Sequence, residues 1–384
     1  MVYNPLRFLN ITFAAWYLPV MADYSKFKED RKMKLRVFIF SAMLALGLLG
    51  SAVSFGAQDN KVRIRAGHFP NVTHAQGVIG QARGDFDTAL GDKAYVDWKL
   101  FNSGTSAIEA LFAGELDITY IGPNPAVNGY IKSDGEALRI VSGAASGGAG
   151  FVVRKDAGIK SAKDFNGKKL ATPSIGNTQD VALRNWLGEN GYKLKEKGGT
   201  VEVVPLENPD QLTLFIKKEI DGAWTVEPWV SRLIYDGGGE LFLDEKDLWP
   251  NGQYVTTHII VNTKFLKEHP DLVKTWLETN LQITDWINNN KEEAKHVLNQ
   301  EIKRETGKAL PQNILDAAIK RINFTYDPIA SSLFQSAQDA FKLGFLGRTE
   351  PDLSGIYDLS ILNGILKEKG LSEITVNTQK AAAN

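Results

Sequence analysis

Five short loops carry the residues best suited to hold a small polar ligand. They are Asn71-Val72-Thr73-His74, Ser103-Gly104-Thr105-Ser106, Gly122-Pro123-Asn124, Ser146-Gly147-Gly148 and Gly176-Asn177-Thr178-Gln179. Amide, hydroxyl, imidazole and glycine dominate them, and none contains Lys or Arg. Such groups offer hydrogen bonds without a fixed positive charge. Several of the loops open helices, whose first N–H groups are unpaired and lie at the positive end of the helix dipole. Converging starts of this kind can hold an anion. Each loop alone reads as an ordinary cap, but five at the same end of successive strands point to a binding cleft. "GAWTVEPW", with Trp224, Glu227, Pro228 and Trp229, offers an opposite wall. Both tryptophans also suit a packed core, where indoles are commonly found.

Other chemistries fit the residues poorly. The chain has no cysteine, which removes disulfides, thiolate metal sites and a cysteine nucleophile. Its five histidines form no H-E-x-x-H spacing, and His68 with His74 lacks the carboxylate or thiolate frame of a metal site. Ala144-Ala145-Ser146-Gly147-Gly148 lacks the leading glycine of a nucleophile elbow and runs into a strand, not a helix. No G-x-G-x-x-G or P-loop stands at a strand–helix turn, so no cofactor is expected. Net charge is −1, which gives no sign of a nucleic-acid partner.

The elements that must position these loops alternate. "VRIRAG", "YVDWKLF", "LDITYIG" and "LRIVSGAA" read as strands separated by helices, and the pattern resumes with "FVVRK", "KKLATP", "VEVVPL" and "DGAWTV". After "YVTTHIIVN" the chain reads as almost purely helical. This alternation predicts an α/β protein with mainly parallel sheets flanked by helices. "ELDITYIGPNP" (115–125) echoes "EIDGAWTVEPW" (219–229), with an Asp before each strand and a proline loop after it. Ligands of open α/β sheets bind outside the carboxyl ends of the strands. The echo therefore predicts two similar lobes offering strand-end loops to one cleft: lobe one from 61–150 and 256–375, lobe two from 151–255, and a flexible tail over 376–384.

"MKLRVFIFSAMLALGLLGSAVSFGA" begins with basic residues, continues uncharged from Val37 to Leu49 and ends in small residues. It predicts a signal peptide over 33–57, with a mature chain that begins between about Phe55 and Asp59. The last third is too poor in bulky apolar residues for a good membrane span. Residues 1–32 are an unexplained extension, and Met33 is the expected start. Without residues 1–57 the chain carries 37 basic and 42 acidic residues. A mildly acidic, cysteine-free exported protein fits a bacterial periplasm.

"GHFPNVTHAQG", "GELDITYIGPNPAVNGY", "KSAKDFNGKKLATPSIGNTQDVALRNWL" and "DGAWTVEPWVSRL" together resemble the periplasmic substrate-binding proteins of ABC importers, in the nitrate, sulfonate and taurine branch. That branch shares its fold with thiamine-precursor-binding proteins. The resemblance implies a two-lobed type II clamp with two crossovers, a monomer working with an inner-membrane permease, and no turnover. Carried over by motif, the ligand contacts are Thr73, His74, Thr105, Ser106, Gly122, Asn124, Asn177, Thr178, Trp224 and Glu227, and the polar loops add Ser146 and Gln179 as expected contacts. A serine-rich turn of sulfonate-binding relatives is replaced here by Gly176-Asn177-Thr178-Gln179. Aliphatic sulfonate or taurine is the first expectation, nitrate or bicarbonate the second and a pyrimidine-like compound the third. A buried Glu227 would oppose a dianion and could receive the amine of a zwitterion. The related pyrimidine synthases carry a cysteine-rich iron-binding segment, which a cysteine-free chain cannot supply. A receptor's sensory domain would need a second membrane segment, and nothing after Lys61 is apolar enough.

Overall fold

The computed structural model describes residues 61–376. The expected extension, signal peptide and cleavage site, and the tail beyond Val376, lie outside the described residues. A first run of elements comprises β1 (Val62–His68), α1 (Ala75–Arg83), α2 (Asp85–Leu90), β2 (Ala94–Leu100), α3 (Gly104–Phe112), β3 (Ile118–Ile121), α4 (Pro123–Lys132) and β4 (Leu138–Gly147). A second comprises β5 (Ala149–Arg154), β6 (Lys169–Thr172), α5 (Thr178–Glu189), β7 (Glu202–Pro205), α6 (Asn208–Ile216), β8 (Gly222–Val226), α7 (Trp229–Tyr235) and β9 (Gly239–Asp244). The chain then returns through β10 (Val255–Asn262), α8 (Thr263–Glu268), α9 (Pro270–Asn289), α10 (Lys291–Thr306), α11 (Gln312–Lys320), β11 (Ile322–Phe324), α12 (Ala330–Lys342) and α13 (Ser360–Glu368).

Two sheets result. One has the order β11-β4-β10-β3-β1-β2 and the other β7-β6-β8-β5-β9. Both are mixed: most strands of each run one way, as the alternation suggested, with a few running against them. Strands β1, β2 and β3 pair in parallel, as do β6, β7 and β8, whereas β10 and β5 run antiparallel to their neighbours. The reason is the route of the chain. β5 and β10 each enter a sheet directly from the other one, at the carboxyl edge of its parallel strands, and so must run the opposite way.

The first crossover is Gly147-Gly148, both at φ +77°. A Cβ on Gly147 would lie 2.6 Å from the Arg321 carbonyl oxygen, and one on Gly148 would lie 2.6 Å from Ile322 Cγ1. Glycine is needed here for its backbone angle and for its lack of a side chain. The second crossover precedes β10, and the Tyr254 hydroxyl accepts from Ala149 N at 3.1 Å, tying the two crossings together.

The echo between 115–125 and 219–229 is structural. Asp117 Oδ2 accepts from Arg65 N at 2.8 Å while its own N–H donates to Arg65 O. Asp221 Oδ2 accepts from Lys169 N at 2.9 Å while its own N–H donates to Lys169 O. Each Asp also binds an arginine, Arg65 or Arg154. The two carboxylates pin strands β3 and β8 to their parallel neighbours at the amino ends, leaving the carboxyl ends facing the cleft.

The return helices complete the first lobe's core. α9 opens with Pro270 at its first position and buries Leu272, Val273, Trp276, Leu277, Leu281, Ile283 and Ile287. This helical spacing gives one apolar face. Trp276 stacks on Phe86 of α2, with ring centroids 4.0 Å apart. In the second lobe Phe151, Phe165, Trp186 and Trp224 form a separate core.

Candidate functional site

Between the sheets lies a cleft with about 450 Å³ of unfilled space, part of it open to solvent. Its polar lining is Asn71, Thr73, His74, Asn102, Ser103, Asn177, Thr178, Gln179, Asn208 and Thr256, with Gly104, Gly122 and apolar residues between them. None of these lining residues is charged.

Helix starts supply much of this lining. Ser103 caps α3, its Oγ accepting from Ser106 N at 3.4 Å. Gly122 precedes α4, and α6 begins at Asn208. Asn177 caps α5, accepting on Oδ1 from Asp180 N at 2.9 Å. The turn before it is fixed from within: Asp180 accepts from Thr172 Oγ1 (2.8 Å), Gly176 N (2.9 Å) and Arg184 Nε (2.9 Å). Asp180 is thus saturated by its own lobe, and the helix start keeps its positive end toward the cleft.

The remaining wall comes from β1 and the turn after it. His74 is buried, with Phe69 stacked on its ring at 4.6 Å. Burial holds its pKa well below the usual imidazole range, and the nearby His68 adds to the effect. The Phe69 N–H donates to Nδ1 at 3.4 Å, so neutral His74 carries its proton on Nε2 and is a donor there. For His68 burial alone would lower the pKa, but Glu305, whose carboxylate lies 3.2 Å away, together with the bonds to Gln81 and the Phe69 carbonyl, makes the net shift upward. Thr73 Oγ1 is buried without a hydrogen-bond partner, leaving one polar atom in the wall unmatched by the protein.

Of the twelve expected contacts, Thr73, His74, Gly122, Asn177, Thr178 and Gln179 line the cleft. The other six do not. Thr105 is at the edge, its hydroxyl 3.5 Å from Ser174 across the cleft, and Ser106 turns back onto Ser103. Asn124 is buried beneath the floor, where Ser336 donates to its Oδ1 at 2.7 Å. Ser146 is a buried strand residue of β4 beside the first crossover. Trp224 is fully buried in the second lobe's core, stacked on Phe151 and donating to Glu245 Oε2 at 2.6 Å. Glu227 is fully buried and bonded to Ser231 and to Arg321 Nη1 at 2.8 Å, so its carboxylate serves an ion pair between lobes. Burial raises its pKa, and Arg321 opposes the rise.

Asn102, Asn208 and Thr256 line the cleft without having been expected. Asn208 had a readable signal, since Asn208-Pro209-Asp210 follows a strand and opens a helix as the other loops do. Thr256 had none, because it reaches the cleft only by the return crossing; its hydroxyl donates to Gly147 O at 2.5 Å.

The lobes meet directly. Asn124 N donates to Thr178 Oγ1 at 3.4 Å, Asn128 Nδ2 to Gly176 O at 3.1 Å, and Trp229 Nε1 to Asn71 Oδ1 at 3.0 Å. Among the described residues no group of His, Asp or Glu is arranged to hold a metal ion, and no helix is long and apolar enough to cross a membrane.

Known proteins agree with this architecture. A taurine-binding periplasmic protein of Escherichia coli (strain K12) is 28% identical over 204 residues, which are 52% of this chain and 59% of that protein. The match therefore spans little more than half of the relative's length. The alkanesulfonate-binding protein of Xanthomonas axonopodis pv. citri, solved with MOPS, superposes with a TM-score of 0.61 at 17% identity, covering 76% of this chain and 96% of that one. The periplasmic nitrate-binding protein of Synechocystis PCC 6803 gives 0.64 at 14% identity, over 80% and 89% of the two chains. At these identities the superpositions establish the fold, a two-lobed periplasmic-binding-protein clamp. The NMT1-like family matches residues 57–300, and the chain belongs to that family.

Proposed function

We propose that this protein is the periplasmic solute-binding component of an ABC importer and captures a small organic sulfonate between its lobes without converting it. The supporting observation is the cleft itself, lined by neutral donors and helix starts and by no charged side chain. Partial positive charges on helix N–H groups suit a diffuse monoanion, whose charge needs no lysine or arginine. Nothing in the lining favours a dianion. The names of the taurine-binding and alkanesulfonate-binding relatives agree with this chemistry. Capture and release by a clamp make a permease the expected partner, and the segment over 33–57 would deliver the chain to the periplasm.

Glu227 refines the choice within the sulfonates. Its carboxylate is bound to Arg321 and Ser231 outside the cleft, so the ammonium group of taurine would meet no carboxylate there. A sulfonate without an amine fits better. Thermal unfolding of the mature protein tests this with methanesulfonate, ethanesulfonate, taurine, nitrate, bicarbonate and an aminopyrimidine. A ligand at a hundredfold excess over its Kd stabilises by about 2.7 kcal/mol, or roughly 5–10 °C for a chain of this size. The alkanesulfonates should give that shift and taurine a smaller one. A shift from the aminopyrimidine alone would reject the sulfonate reading.

A further inference from the structure

A second chamber, with about 820 Å³ of unfilled space including its mouth, adjoins the cleft. Asn102 lines both spaces. Pro70 precedes the cleft residue Asn71, and Pro209 follows the cleft residue Asn208, so two walls run on from one space into the next. Trp229 stands at the partition, lining the chamber while its Nε1–H reaches Asn71 of the cleft.

The two spaces differ in chemistry. The cleft is lined mostly by polar groups, whereas most of the chamber's wall is apolar, with Pro70, Pro209, Pro228, Pro311, Leu310 and Trp229, and Asn102, Thr306 and the exposed Lys308 add polar groups to it. Proline has no N–H and a fixed φ, so the proline-lined part of this wall is rigid and poor in donors. Arg232 also lines the chamber, but it lies over the Trp229 ring at 4.6 Å and pairs with Asp236 at 3.2 Å. Its charge is matched within the wall. A rigid apolar surface loses little entropy when an apolar group settles on it.

We propose that the chamber receives the tail of the ligand, and that the cargo is an organic anion with an apolar tail of several carbons, its head in the cleft. This rests on the sulfonate reading above. Because the chamber's walls come from both lobes, an occupied tail site also adds contacts that exist only when the lobes are together.

Calorimetric titration of the mature protein with linear alkanesulfonates from methane- to octanesulfonate tests the assignment. Kd should fall by about fourfold per methylene once the chain passes the partition, the gain expected for burying a CH₂ group. Ala309 is exposed at the chamber's rim, where a substitution leaves the core intact. Ala309→Trp, which fills the chamber, and Ala309→Asp, which charges it, should each flatten the series while ethanesulfonate binds as before. Binding that is equal at every chain length, or a gain that both variants leave untouched, overturns the tail site and leaves the sulfonate reading standing. If no sulfonate of any length binds, that reading falls and the tail site falls with it.

Discussion

At the scale of single residues, the cleft works by what surrounds each group as much as by its type. Gly122 shows this most directly. A Cβ there would lie 2.9 Å from Thr178 Oγ1, which belongs to the other lobe, while its own φ of −70° suits any residue. Gly122→Ala should therefore leave the melting temperature of the unliganded protein within about a degree yet weaken sulfonate binding at least tenfold, because the clash exists only where the lobes meet. Titration calorimetry beside a melting curve reads both, and unchanged affinity would show that the lobes need not approach so closely. A second case concerns pH. Burial pushes Glu245 up to about 7 and His258 down to about 4. His258 donates from Nε2 to the Pro328 carbonyl at 2.9 Å, while its buried Nδ1 has no partner to receive a second proton. Stability owed to neutral His258 is complete above pH 6.5 and is lost as pH falls toward 4. Stability owed to protonated Glu245 is complete below 4.5 and is lost as pH rises through 7. Each amounts to roughly 3 kcal/mol, with opposite sign, so they largely cancel between pH 4.5 and 6.5. Glu245→Gln retains an acceptor for Trp224 and removes one side of the balance. Calorimetry should show its melting temperature falling several degrees more than that of the parent between pH 6.5 and 4.5, and parallel profiles would refute the opposition.

At the scale of elements, the amino ends of β3 and β8 are held alike, and only the carboxyl ends differ for function. Asp221→Ala would remove the bonds from Lys169 N and from Arg154 Nη2 at 3.0 Å. The expected loss is about 2 kcal/mol, with ligand affinity unchanged because the site is at the far end of the strand. Denaturant unfolding with a binding isotherm checks this, and weaker binding would mean that the pin also sets the cleft. This division explains what the sequence could disclose. Strand and helix alternation, the paired Asp signals and the capped helix starts are local patterns, so the two sheets and the loops around Thr73, Gly122 and Asn177 were readable. Trp224 and Glu227 belong to an equally suggestive stretch but were not. Trp224 lies two residues before the end of β8, inside the sheet, and only Val226 at the end of the strand reaches the cleft. The fate of Glu227 depends on Arg321, 94 residues further on, and that of Asn124 on Ser336, 212 residues on. Distant partners leave no mark in a local pattern. The antiparallel entries of β5 and β10 were hidden for the same reason.

At the scale of the whole molecule, the lobes are joined by two crossings and by contacts on either side of the cleft, including the Glu227–Arg321 pair and the Trp229–Asn71 bond. The crossings also dictate an order of assembly. Every strand of the second sheet falls between Ala149 and Asp244, one unbroken stretch, whereas the first sheet needs β10 to pair with β3 and β4 across that whole insertion. Closing a loop of roughly 100 residues costs about 4 kcal/mol of chain entropy. If the inserted lobe forms first, its two ends already stand side by side, as the bond between Ala149 N and the Tyr254 hydroxyl shows, and most of that cost is removed. Pulse-labelled hydrogen exchange during refolding should then find the amides of β5, β6 and β8 protected before those of β10, and the reverse order would exclude this route. The two crossings that join the lobes in the finished protein would thus set the sequence in which it is made, with the inserted lobe acting as the template that brings the ends of its host together.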